Sequence, residues 1–383
     1  LRSICSVEGV TAYGIKEGKY GLALIKASGS AAGVFTKNRV RAPPIELMED
    51  RIHRGFLEGV IVNSGCANAY TGKRGYQDAC AMASIAGEQL HIEPENVGVA
   101  STGVIGRYLD LPRIQDQASR IAPLLERGRK GEDLAAEAIM TTDTFPKHAL
   151  VKRDSFSVGG ITKGSGMIAP MMGTMLAFLY TDADVEPRIL RGILKQAVNR
   201  TFNRIVVDGD TSTNDLALIT ATGECGRVKM EILYDALEEC CRSLAIQIAR
   251  DGEGATKLLE VTVRGAGNEE NAAIVARTVV GSPLVKTAVY GEDPNWGRVV
   301  AAAGRAGVDF DPNAFSLWIS DGMSRYPLVL SGEIVVDLDV AKGAMVGTHV
   351  IFEIDLGCGI GEATAWGCDL TERYVEINGR YTT

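Results

Sequence analysis

The run MIAPMMGTMLAFLY, from Met167 to Tyr180, constrains the fold more than any other stretch of the chain. It is apolar almost throughout, so it must be hidden from water. It is shorter than the ~20 residues a helix needs to cross a bilayer. Pro170 and Gly173 suit a turn better than a spanning helix. The segment is therefore expected to turn and then run as a buried strand from Thr174 to Thr181. Thr174 is its only hydroxyl before the final Tyr. Two readings compete for that hydroxyl: a core Thr bonded back to the backbone, or a nucleophile at a strand start behind an unhindered glycine carbonyl.

The rest of the chain sets the frame. Its 383 residues are too many for one small core and imply two or more packed lobes. Strand-like runs occur at Tyr20–Lys26, Ala32–Thr36, Gly59–Asn63, His148–Lys152, Ser155–Ile161 and Arg204–Val207, and again in the tail at Phe315–Ile319, Glu333–Val336 and His349–Leu356. Helical periodicity marks Gly75–Leu90, Arg113–Arg127 with a bend expected at Pro123, Glu186–Phe202, Met230–Ala249 and Glu269–Val280. In Asp293–Gly307, the opening Asp-Pro reads as a helix entry. Strands fall in hairpin-like groups and helices in pairs. The expected class is α+β, a layered sandwich of helices around β-sheets.

Charge and composition exclude several classes. The net charge is −8, which repels nucleic acid and anionic lipid, so neither nucleic acid nor membrane is expected as a partner. The opening stretch LRSICSVEGVTAYGIKEGKYG lacks a basic start followed by an apolar core, so no secretion signal is expected. The eight Cys include no C-x-x-C pair and the four His are scattered, so neither a metal site nor a cofactor is expected. Most of these Cys, Cys240 and Cys241 among them, read as small core residues.

Three short motifs admit both a bland and a chemical reading. VVDGDTSTND (206–215) fails as a calcium loop, because Thr213 and Ile219 stand where Gly and Glu are required. Asp208 and Asp210 resemble a phosphotransferase pair, but a polar turn is the simpler reading. ASTGVIG (100–106) reads as a strand-ending turn, and its Thr-Gly pair can also offer a hydroxyl and an N–H to an oxyanion. DGEGATK (251–257) ends the strongest helix, with Glu253 expected to be exposed between two glycines.

Taken together, IMTTDTFPK (139–147), KGSGMIAPMMGTMLAFLYTDA (163–183), VDGDTSTND (207–215), DGEGATKLLEV (251–261), GSPLVKTA (281–288), DPNWGRV (293–299) and GCDLTERYVEINGRYTT (367–383) resemble the glutamate N-acetyltransferase family, also called ornithine acetyltransferase. The resemblance runs from about residue 7 to the last residue. It implies a cytoplasmic acyltransferase of arginine biosynthesis that cuts itself before a Thr. The matching bond is Gly173–Thr174, where the family usually has Ala before the Thr. The cut would leave 1–173 as one fragment and 174–383 as the other, with two copies of each in the assembly.

The same resemblance implies Thr174 as nucleophile and Thr102 with Gly103 as oxyanion hole. It implies Thr141, Lys163, Thr174, Glu253, Asn378 and Thr383 as substrate-binding residues. Acetyl would pass from N-acetylornithine to Thr174 and then to glutamate. Acetyl-CoA as a further donor is left open. No His occurs in any of these motifs. A free α-amino group on Thr174, with an ordinary pKa near ~7.7–8.0, would serve as its base. Lys163 suits an α-carboxylate and Glu253 a cationic amine. Two alternatives stand beside this reading: a Thr-nucleophile amidohydrolase or aminopeptidase on a similar self-cleaving fold, and an uncleaved binding protein.

Overall fold

The computed structural model describes residues 2–169 and 175–380. Gly173, Thr174 and Thr383 lie outside the described residues. The apolar run emerges as the strand Leu176–Asp184. Leu176, Phe178 and Tyr180 point into one core, and Ala177 and Leu179 into another. A strand buried on both faces needs apolar side chains at successive positions, which is why the run does not alternate.

This strand lies inside the first sheet. It is parallel to Leu216–Arg227 on one side and antiparallel to Ser157–Lys163 on the other. Lys147–Lys152 extends the sheet past Ser157–Lys163. On the other side follow Tyr20–Phe35, Phe56–Cys66 and Val97–Val104, and Thr11–Glu17 also pairs with Tyr20–Phe35. Helices Pro43–Ile52, Gly72–Leu90, Leu111–Ile121 and Arg129–Ala138 pack on one face. Helices Pro187–Arg200 and Met230–Arg250 pack on the other.

Met230–Arg250 joins the two halves of the molecule. Its stripe of Leu233, Leu237, Cys240, Cys241, Leu244 and Ile248 is buried in the same core as Leu258, Trp366 and Cys368 of the second sheet. Each fully buried Leu or Ile there contributes about 1.5–3 kcal/mol. The helix is thus held by packing more than by its own propensity. The second sheet runs in the order Glu333–Ile334, Arg325–Leu330, Ser316–Ser320, His349–Asp355, Leu258–Ala266, Gly361–Cys368, Ile205–Val206. Helices Glu269–Val280, Pro283–Tyr290 and Trp296–Gly304 share its third core. The architecture is the expected α+β layering of helices around sheets. Among the described residues, no single helix is long and apolar enough to cross a membrane.

Several local expectations need correction. Tyr20–Lys26 and Ala32–Thr36 are not two strands but parts of one, Tyr20–Phe35. Its pairing with Phe56–Cys66 shifts register between Lys26 and Gly29, so the stretch between the two expected strands is an irregularity inside one strand. The helix expected over Arg113–Arg127 ends at Ile121, and a single tighter turn carries Pro123. The helix expected from Asp293 starts only at Trp296. The reading of most Cys as core residues holds: five, Cys240 and Cys241 among them, are buried, while Cys225 and Cys358 are exposed and Cys80 is half-buried.

Candidate active site

One cavity gathers most of the residues singled out from the sequence. Thr102, Gly103, Thr141, Lys163, Glu253 and Asn378 all line it, around a volume of about 160 Å³. That is smaller than the roughly 300–1,000 Å³ of drug-sized ligand sites and suits a small amino acid. Thr174 and Thr383 fall outside the described residues, as does Gly173.

Each side chain is brought there by its element. Thr102 and Gly103 close the strand Val97–Val104, which runs parallel to Phe56–Cys66. The expected turn therefore starts later, at Ile105. Gly103 has φ 130°, and a Cβ on it would lie 2.4 Å from the carbonyl carbon of Gly65. Only glycine allows the two backbones to approach this closely. Lys163 ends the strand Ser157–Lys163, opposite Leu176. Its ammonium donates to Thr141 Oγ1 at 2.8 Å and reaches Thr102 Oγ1 at 3.4 Å. Thr141 follows the helix Arg129–Ala138 on a loop.

The lining also carries negative charge. Glu253 follows the helix Met230–Arg250 and is half-buried, not exposed as its flanking glycines suggest. Its N–H donates to the Ser165 carbonyl at 2.9 Å, which draws it toward the cavity. The Glu253 carboxylate accepts from Asn378 Nδ2 at 2.8 Å. Asn378 sits on the final helix, Glu372–Arg380, which is tied back by a Thr371 hydroxyl donating to the Gly254 carbonyl at 2.7 Å.

Burial tunes the charges around Lys163. It pushes the Lys163 ammonium below the ordinary lysine range, with nearby Asp143 opposing the shift. Burial also pushes the Asp143 carboxyl up, but Lys163 and Lys147 outweigh it and bring the group down to about 2. Asp215 is fully buried, and burial raises it well above the usual carboxylate range. One of its oxygens accepts the Met175 N–H at 3.1 Å.

Several lining residues were not singled out from the sequence: Thr142, Gly166, Met167 and the trio Ser212, Thr213 and Asn214. The trio brings the polar turn VVDGDTSTND to the cavity. Asn214 Nδ2 donates to the carbonyls of Ala67 at 2.7 Å and Ser101 at 2.9 Å, which ties the turn to the strand carrying Thr102. Asp208 does act as a turn residue, accepting the N–H groups of Met167 at 2.6 Å and Ile168 at 2.9 Å. Thr142, Gly166 and the trio all stand inside quoted motifs, and that adjacency is the signal that points to them.

A buried cation and a carboxylate line this cavity beside a threonine–glycine pair at a strand end. On this α+β layered frame the chain is an acyltransferase, the class its relatives define. The model of the ArgJ family matches residues 7–383, and the chain belongs to that family. It is 50% identical over 390 residues to a glutamate N-acetyltransferase of Methanosarcina mazei, covering 99% of this chain and 98% of that one. It is 46% identical over 381 residues to the arginine biosynthesis bifunctional protein ArgJ of Archaeoglobus fulgidus, covering 99% and 100%. Among solved structures, the arginine biosynthesis bifunctional protein ArgJ of Bacillus halodurans matches with a TM-score of 0.50 and 42% identity, covering 52% of this chain and 96% of that one.

Proposed function

We propose that the chain is a glutamate N-acetyltransferase that moves acetyl from N2-acetyl-L-ornithine to L-glutamate through an acetyl ester on Thr174. The observation that carries this reading is the meeting of Lys163 and Glu253 in one small cavity, with Thr102 and Gly103 in the same lining. An acetylated diamino acid offers the complement: an α-carboxylate for Lys163 and a side-chain ammonium for Glu253.

The chemistry follows from the residues. The chain first cuts itself between Gly173 and Thr174, which frees the α-amino group of Thr174. That amine takes the proton as the Thr174 hydroxyl attacks the acetyl carbonyl. The Thr102 hydroxyl and the Gly103 N–H stabilise the oxyanion. The C–N bond breaks, the proton passes to the leaving amine, and ornithine departs. The amine of glutamate then attacks the ester, and the proton returns to the Thr174 hydroxyl. In the first sheet, Leu216–Arg227 and Leu176–Asp184 lie between strands that precede residue 173, which supports the two fragments staying together after the cut. We read the assembly as two copies of each fragment, working in the cytoplasm.

The test combines cleavage and transfer. A denaturing gel should show two bands, and sequencing of the new N-terminus should read Thr-Met-Leu-Ala-Phe. Thr174→Ala should run as one band and be inactive. With N-acetylornithine alone the enzyme should release one ornithine per site and stop; adding glutamate should restart it and yield N-acetylglutamate. Continuous acetate release without glutamate would instead identify a hydrolase. Replacing N-acetylornithine with acetyl-CoA in the same assay reads out the second donor directly.

A further inference from the structure

A chain of buried charges stands behind the cavity wall. Asp143 and Lys147 are buried, with side chains 0% exposed. Asp143 acts as its hub. One oxygen accepts the Gly164 N–H at 2.6 Å and the Lys147 ammonium at 2.8 Å. The other accepts the Thr141 N–H at 3.0 Å and lies 4.0 Å from the Lys163 ammonium. Lys147 also donates to Asp251 at 2.5 Å. Asp251 stands two residues before Glu253 and accepts the N–H and hydroxyl of Thr144.

We propose that Asp143 is the positioning residue that fixes Thr141 and holds Lys163 in place as an ammonium, and that the chain Lys163–Asp143–Lys147–Asp251 sets the spacing between the two ends of the pocket. This rests on the reading of Lys163 as the group that binds substrate carboxylate. A lysine buried this fully tends to lose its proton unless an opposite charge compensates. The other charged groups facing Lys163 are Lys147, Asp215, Glu253 and Lys16. Asp215 also favours the charged form of Lys163, while burial raises its own carboxyl well above the usual range. Lys16 is lowered to about 8 by burial, with Lys163 also contributing; as it deprotonates, its repulsion on Lys163 fades. Asp143 holds Lys16 up as well, so in Asp143→Asn Lys16 also loses its proton at lower pH, and the relief of its repulsion offsets part of the shift at Lys163. Asp251 belongs to the second fragment after the proposed cut and Lys147 to the first, so their pair also joins the fragments.

The test is the pH profile of kcat/KM for N-acetylornithine and for glutamate, measured on the cleaved enzyme. Asp143→Asn should move the alkaline limb to lower pH by about 1–3 units, the shift an opposite charge at this range produces. KM should rise for both substrates, with kcat at the optimum changing far less. Lys147→Met should move the same limb upward, because it removes a like charge; a merely structural role would not give opposite signs. A folded Asp143→Asn enzyme with the parental limb would overturn the proposal. If Asp143→Asn is insoluble, Lys147→Met decides, and an unmoved or lowered limb overturns it. Lys163→Met separates the two levels: normal KM there sinks the carboxylate-binding reading itself, whatever the Asp143 result.

Discussion

Gly166 offers a direct test of the amine-binding wall. It lines the cavity, and a Cβ built on it would lie 2.4 Å from Glu253 Cδ and 2.5 Å from each carboxylate oxygen. Ordinary contact begins near 3.4 Å, so in Gly166→Ala the carboxylate must retreat by 3.4 − 2.4, about 1 Å. The backbone does not resist the change, since Gly166 is not among the glycines with positive φ. The obstructing atoms are the end of a flexible side chain, so the fold should lose only the cost of a strained rotamer, about 0.5–1.5 kcal/mol. Binding should lose more. Glu253 would be displaced from the substrate ammonium it is proposed to bind and from Asn378, now 2.8 Å away. A charge-assisted hydrogen bond contributes about 1.5–3 kcal/mol, or roughly 10- to 100-fold in affinity. Steady-state kinetics on both substrates, with thermal unfolding alongside, read out the two effects separately. The expected result is a KM for N-acetylornithine raised about tenfold or more, with nearly parental Tm and little change for glutamate. An unchanged KM for N-acetylornithine in the folded variant would refute the assignment of Glu253.

Further outcomes follow from the same geometry. Glu253→Gln should weaken N-acetylornithine by about 10- to 100-fold and glutamate less; parental kinetics for both would contradict it. Deleting Gly379–Thr383 should lower transfer strongly yet leave self-cleavage intact, because the final helix reaches the pocket through Asn378; full transfer by the truncated protein would show that the tail is only surface. Acid should weaken the fold through His148, whose side chain is 5% exposed. Burial, helped by Arg2, lowers its pKa from 6.5 to about 4. The folded state therefore binds fewer protons than the unfolded one. The neutral imidazole's contribution is complete above pH 6.5 and fades as pH falls toward 4, by roughly 3 kcal/mol. Denaturant unfolding of the parent and of His148→Gln across that window should show a shallower pH slope in the variant; equal slopes would rule out His148 as the source.

The sequence by itself determined what local periodicity encodes. The burial of Leu176–Asp184 followed from an apolar run too short and too broken for a spanning helix. The stripe on Met230–Arg250 followed from its helical period. Motif matches also pointed to six residues that meet in one cavity. Tertiary structure alone decided which surfaces meet. Tyr20–Phe35 becomes one strand because Phe56–Cys66 and Leu216–Arg227 pair with successive parts of it, and neither partner is close in sequence. Glu253 is half-buried because Gly166 and the final helix close over it, although its own neighbours read as an exposed helix stop. Asp143 becomes a hub because Lys147, at the start of one strand, and Lys163 with Gly164, at the end of its neighbour, converge on it. A local pattern states how often a side chain must face inward; it carries no term for the partner it will meet there, and electrostatic compensation of a buried charge depends on that partner alone.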